Sequence, residues 1–549
     1  MNLLQDPWMP VRDVQGRREW IGPERLAEPQ WRAFDADRPD FNGALAQFAI
    51  GLLQTTTDVA DVIAWRQRFR QPPDAATLRR WFEPVRAAFE LDGDGPRFMQ
   101  DIDLGSEGVA INGIGALLIE SPGEQTLKNN ADHFVKRGQV ECLCRACAAT
   151  ALFTLQTNAP SGGAGHRTGL RGGGPLTTLV MAPESASLWH HLWINVRDQP
   201  GFLAQGGDVG QRLDQRAFPW LGAVTALQPL KGELAMAQVH PAHHFWAMPR
   251  RIRLEFGRAE PPGTRCDLCG RENGTTVSRY TTKNYGLNYK GEWNHPLSPY
   301  YQTKEGWLPL HPQPDGLGYR HWLAWVLGVS GERRTTRAAP VVTRALQHLR
   351  GQTGPGLRLW ACGYDMDNMK ARCWYESTLP LYGLADCEAE AVAGIQAEVG
   401  CWLAGAELAG QYLRKAVKDA WFGHDARGDF AHVDAAFWGA TEAPFYRHLQ
   451  ALIEAARSGS EQDPLPSRAA WHRTLKTSAL HLFDEVFVGT GPVARQNPRR
   501  VALAHRQLES SLHGPKLKSA LGLPVPQAAD KPRRARAAKA DGTAPKEPA

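Results

Sequence analysis

Nine cysteines punctuate the 549-residue chain, and four of them fall into two C-x2-C pairs. Cys266-Asp-Leu-Cys269 is followed by Gly270, the form of a zinc knuckle, in which the glycine lets the backbone turn so that amides point at the thiolate sulfurs. Cys144-Arg-Ala-Cys147 leads into a helix expected to start near Ala148, whose N-terminal dipole favours thiolates. Together the pairs supply four ligands for a closed tetrahedral Zn2+ site. With no open coordination position, such a metal is structural and not a Lewis acid for catalysis. A long stretch of chain separates the pairs, so the fold has to bring them together. Two alternatives stay open: one or both pairs are ordinary reduced thiols, or Cys142 replaces a ligand of the first pair.

The segment from Asn158 to Gly174, NAPSGGAGHRTGLRGGG, is too rich in glycine for a helix or strand interior. It is neither a Walker A motif nor a dinucleotide fingerprint, which argues against ATP and dinucleotide binding. With His166, Arg167 and Arg171 interleaved, it can press backbone and cations against a sugar-phosphate surface or into a DNA groove; the alternative is a plain surface turn. The stretch Phe134-Val-Lys136-Arg-Gly sets an aromatic beside two cations, a pattern suited to stacking on a base while neutralising phosphate, although most such loops are simply solvated. His240-Pro-Ala-His243-His244 lacks helical metal-ligand spacing and reads as ordinary core or surface histidines. Asp365 and Asp367 could bind a divalent cation, but two acids alone do not make a nuclease. No serine elbow and no H-E-x-x-H zincin motif occurs.

The elements that must position these residues are irregular at first and helical later. Residues 1–376 alternate short β-branched or aromatic stretches with helical pieces, clearest at Asn42–Thr55 and Cys147–Leu155. After Pro380, Val392, Ile395, Val399, Trp402 and Leu403 recur at helical spacing. Three further helical stretches follow, at Pro444–Ala456, Arg468–Phe487 and Pro498–Ser511. The expectation is an α+β protein: an irregular mixed α/β domain holding the zinc (1–376), an antiparallel four-helix bundle (377–520) and a disordered basic tail (521–549).

Apolar content of 42% and 19 tryptophans fit large buried cores. The net charge is +6, but the tail from Ala528 onward nets +3 by itself, so a body of this size would attract a polyanion only through local patches. The odd cysteine count fits a reducing compartment. No signal-peptide pattern opens the chain and no long apolar run occurs, which points to a cytoplasmic protein away from membranes.

Several blocks in order, MNLLQDPWMPVR, PRFMQ, LCRACAATALF, the glycine segment ending GLRGG, CDLCG, HPLSP and GYDMDNMKARCWYE, resemble the CasA family, the large subunit of the type I-E Cascade complex of CRISPR systems. The resemblance runs to about residue 515. It implies a non-enzymatic subunit that sits at the handle of the guide CRISPR RNA among the other Cascade subunits. It also implies reading of the protospacer-adjacent motif of double-stranded target DNA from the minor groove, help in opening the duplex, and docking of a helicase-nuclease. Carried over by motif, the DNA-reading loop falls on Ser161, Gly162, Gly163 and Ala164, and a nearby lysine on Lys283. Asn284 takes the ungapped position but lacks the charge. The strand-parting glutamine of the family falls on Asn368, one methylene shorter, with Met366 or Met369 as an apolar helper, and the RNA-handle loop falls on Phe134 and Lys136. Readout from the minor groove is degenerate, so several motifs should be tolerated, while the guide carries the long specificity. A rival expectation from another class is a zinc-containing, metal-dependent nuclease using Asp365 and Asp367.

Overall fold

Aromatic side chains organise the N-terminal body. The computed structural model describes residues 1–132, 135, 137–207, 210, 212–229, 231–314, 316–331, 334–352, 356–367, 369–422, 428–460, 463–489 and 497–525. At its centre is helix α1 (Pro39–Thr56), which starts with proline in its first turn, where the missing N–H is no loss, and is buried along almost its whole length. Phe48 on α1 is ringed by Trp8, Phe89, Phe98, Phe153 and Trp246, with centroids 5.0–5.8 Å away and all five rings edge-on. That is the arrangement the ring quadrupoles favour. Phe153 belongs to α2 (Arg145–Asn158), which is buried over most of its turns.

Among the described residues, thirteen strands accompany these helices: β1 (Met9–Asp13), β2 (Arg18–Ile21), β3 (Trp31–Phe34), β4 (Ala110–Gly113), β5 (Leu143–Cys144), β6 (Thr177–Met181), β7 (Arg251–Arg258), β8 (Thr275–Lys283), β9 (Tyr300–Thr303), β10 (Gly306–Pro309), β11 (Thr336–Arg337), β12 (Arg358–Asp367) and β13 (Lys370–Pro380). They form small antiparallel sheets ordered β2-β1-β3, β10-β9-β11 and β13-β12-β6, plus one in which β8 pairs with β4 and β5 on one side and β7 on the other. Two sheets matter for the site. β8 carries the chain away from the cysteine knuckle, and β6 follows directly on the glycine-rich segment and pairs with β12, Cys362 opposite Thr177.

The C-terminal region is helical, with α3 (Ala389–Trp421), α4 (Ala431–Arg457), α5 (Pro464–His481) and α6 (Pro498–His513). By contacts the chain divides into residues 1–400 with 429–462, and 401–428 with 463–549. In the first unit α4 stacks Phe445 on Tyr319 at 4.4 Å, and the Tyr319 hydroxyl meets Thr441 Oγ1 at 2.8 Å. In the second, Trp471 on α5 donates its indole N–H to the Trp402 carbonyl (3.0 Å), and His472 Nε2 bonds the Leu512 carbonyl (2.8 Å).

Sequence spacing located these helices but set two starts late, Arg468 for Pro464 by one turn and Pro444 by more. The stretch expected from Pro444 starts upstream at Ala431, with Pro444 inside α4, because Val433, Phe437 and Thr441, spaced by four, bury a stripe that extends the helix upstream. The expected disordered tail lies outside the described residues from 526 onward. Leu521, at the edge of that tail, is fully buried beside Gly405. No helix among the described residues is long and apolar enough to cross a membrane.

Phe48→Ala removes the ring on which five aromatics converge. It should cost about 3–5 kcal/mol of unfolding free energy, measured by chemical denaturation.

Candidate functional site

The two cysteine pairs meet because backbone bonds and one carboxylate stitch their segments together. Leu143 and Cys144 of β5 pair with Val277 and Thr276 of β8. Cys144 caps α2, its sulfur accepting the Cys147 N–H at 3.4 Å. In the knuckle, Gly270 adopts φ +67°, a left-handed turn that glycine takes without strain, and its N–H donates to the Cys266 carbonyl at 2.9 Å. Asp267 Oδ2 accepts from the N–H groups of Glu141 and Cys142, both at 2.7 Å, clamping the knuckle onto the chain ahead of Cys144.

The result is a quartet, Cys144, Cys147, Cys266 and Cys269, whose sulfurs all lie within 4.8 Å of one another. Cys144 and Cys269 sulfurs are 3.7 Å apart. A tetrahedral site with metal–sulfur bonds of about 2.3 Å sets its sulfurs about 3.8 Å apart, so the donor set and spacing fit a thiolate-bound metal ion. The crowding is electrostatically uneven: hydrogen bonding from Cys144 and then Cys147 pulls the Cys266 thiol far down, while Cys144 and then Cys266 push the Cys147 thiol up. A divalent cation lets all four ionise. Cys142 stays outside the quartet, which removes it as a substitute ligand.

From the end of α2 the glycine loop runs to β6. Its tip faces outward: Ser161, Gly163 and Ala164 are exposed, and beyond its chain neighbours no described atom lies within 4 Å of a Cβ built on Gly163. Its flanks are tied down. Asn284 Nδ2 donates to the Ala164 carbonyl, and the Tyr285 N–H to the Gly165 carbonyl, both at 2.9 Å. Gly165 sits at φ +84° with Asn284 so close that an added Cβ would lie 2.7 Å from it. Arg250 reaches across to the Pro160 carbonyl and His166 Nδ1. Tyr285 carries cations on its ring, Lys231 at 5.0 Å and Arg167 at 5.7 Å.

Lys283, the last residue of β8, lies next to this tether but directs its ammonium to the Leu104 carbonyl at 3.4 Å; Asn284 is the neighbour that touches the loop. Arg171 departs from the sequence reading. It is 3% exposed and is no surface cation, because Thr177, Ser298 and Gln47 draw its guanidinium inward. No motif or spacing pointed to Arg250, Lys231 or Tyr285, whose roles exist only through tertiary contact.

The chain matches the family model described as CRISPR-associated protein Cse1 over residues 2–482. It belongs to the Cse1 family. Solved structures share the fold. CasA of Thermus thermophilus is 18% identical with a TM-score of 0.65, covering 93% of this chain and 99% of that one. Thermobifida fusca Cse1 is 16% identical with a TM-score of 0.68, covering 95% and 98%. A chain of a CRISPR RNA-guided surveillance complex is 18% identical with a TM-score of 0.64, covering 94% and 99%.

In this Cse1-family chain the remaining expected positions divide sharply. Asn368, Phe134 and Lys136 lie outside the described residues. Met366 and Met369 flank the β12–β13 turn, Met369 54% exposed. Asp365 is buried and gripped at both oxygens by Arg372, at 2.7 and 2.9 Å, with Asp367 a further 3.8 Å contact of the same guanidinium. Among the described residues the cysteine quartet is the one cluster able to hold a metal ion. His243 and His244 are interior groups, lowered by burial to about 3 and about 4 and therefore neutral.

The purified chain should carry about one equivalent of divalent metal, read by elemental analysis. Cys266→Ser should drop that below about half and lower the melting temperature, while Cys142→Ser should retain it.

Proposed function

We propose that this chain is the non-catalytic large subunit of an RNA-guided surveillance complex of the Cascade type, with Zn2+ in its cysteine quartet and a cytoplasmic place of work. In this reading Ser161, Gly162, Gly163 and Ala164 enter the minor groove beside the protospacer-adjacent motif of double-stranded target DNA. Lys283 supplies charge nearby, and Asn368 helps part the strands. Phe134 and Lys136 meet the guide RNA, other Cascade subunits hold the chain in place, and a helicase-nuclease docks on it after the target is opened.

The observation that carries this reading is the glycine loop itself: a side-chain-poor tip facing outward, fixed at both flanks and bordered by Arg167, Lys231 and Arg250. Such a surface lets backbone approach base edges while cations meet phosphates. Membership of the Cse1 family and the shared fold with a chain of a surveillance complex support the assembly. Against the nuclease reading stands the pairing of both Asp365 oxygens with Arg372, a contact a catalytic metal would have to displace.

The test is a gel-shift titration of guide-loaded complex, with and without this subunit, on duplexes that carry or lack a matched flanking motif at fixed salt. Binding should need both subunit and motif, and Gly163→Asp should weaken it about tenfold or more by placing a charge in the groove. Unchanged binding without the subunit, or metal-dependent DNA cleavage by the isolated chain that vanishes in Asp365→Ala, would overturn the proposal.

A further inference from the structure

Arg171 is a cation without a counter-ion among the described residues. Its guanidinium is surrounded by protein and donates to neutral oxygens: Nη1 to Thr177 Oγ1 and Ser298 Oγ, both at 3.0 Å, and Nη2 to Gln47 Oε1. Burial pulls it down to about 10, so it still carries its charge at neutral pH. The groups that favour that charge are Tyr300 and Cys362, and burial raises both, so neither is an anion at pH 7. A buried charge facing only neutral dipoles is costly, and proteins ordinarily set a carboxylate against it.

Beside Arg171 lies a cavity of about 20 Å³, lined by Gln47, Gln156, Arg171, His244, Phe245 and His295 among others. By that measure a water needs roughly 10–15 Å³, so the space suits one water or one monatomic ion and excludes phosphate or sulfate. His244 also lines this cavity. Its Nδ1 donates to the Pro241 carbonyl at 3.0 Å, while its buried Nε2 has no partner among the described residues.

We propose that this cavity is a binding site for a small monovalent anion, a halide, which serves as the counter-ion of Arg171. The anion accepts from the guanidinium. Arg171 belongs to the glycine segment and ties it to α1 through Gln47 and to β6 through Thr177, so the ion stabilises the inner end of that segment. The site does not depend on the DNA-reading proposal.

The experiment is thermal unfolding of the full chain in sodium chloride, sodium bromide or sodium gluconate at equal ionic strength, with Gln47→Glu as the comparison. This substitution places a carboxylate against Arg171 Nη2. The wild-type midpoint should rise by about 2 °C, saturably, in either halide relative to gluconate. Gln47→Glu should lose that increment, and crystals of the wild-type chain grown in bromide should show an anomalous peak beside Arg171. An equal halide increment in both proteins, or a cavity with water density and no anomalous signal, overturns the proposal. If Gln47→Glu does not fold, the bromide peak alone decides.

Discussion

The meeting of the two cysteine pairs sets the geometry of everything around the glycine loop. α2 begins at the first pair and ends at Asn158, where the loop begins; β8 leaves the second pair and ends at Lys283, immediately before the residues that tether the loop. Both elements therefore start at the sulfur cluster and reconverge on the same stretch of backbone. A metal ion held across the four thiolates would fix the origin of both arms, and Asp267 keeps the knuckle from sliding against the chain ahead of Cys144. The loop can expose its tip because its position is specified from beneath.

Much of this was legible in the order of residues alone. C-x2-C spacing is a local signal, since two cysteines that near in sequence can share a metal ion, and the structure brings the two pairs into one quartet. Glycine density located the loop for the same local reason, and apolar periodicity located the C-terminal helices. The expected mixed α/β body with a helical C-terminal region is the architecture found. What could not be read depends on partners distant in sequence. Arg171 looks like its neighbour Arg167, yet one is interior and the other lies over Tyr285, because only Arg171 finds Gln47, Thr177 and Ser298 around it. Asp365 looked available as a metal ligand until Arg372, across the hairpin, was seen to occupy it.

Two kinds of order thus coexist in the N-terminal body. One is the aromatic packing around Phe48, which buries a large apolar surface with its rings edge-on. The other is a set of directional ties, such as Asn284 to Ala164 and Asp267 to Cys142, which fix individual peptide groups. The first supplies stability and the second supplies placement, and the loop relies mainly on the second.

Gly163 enters this order only through its backbone, its carbonyl accepting the His166 N–H at 3.0 Å. It has no left-handed φ, and beyond its chain neighbours no described atom lies within 4 Å of where a side chain would begin. Folding therefore imposes no selection at this position, and an alanine or serine arising there by drift would cost the isolated chain nothing. If natural variation nonetheless spares that glycine, the pressure must come from a molecule outside the chain, and the substitutions tolerated at residue 163 would trace the surface of whatever comes closest to it.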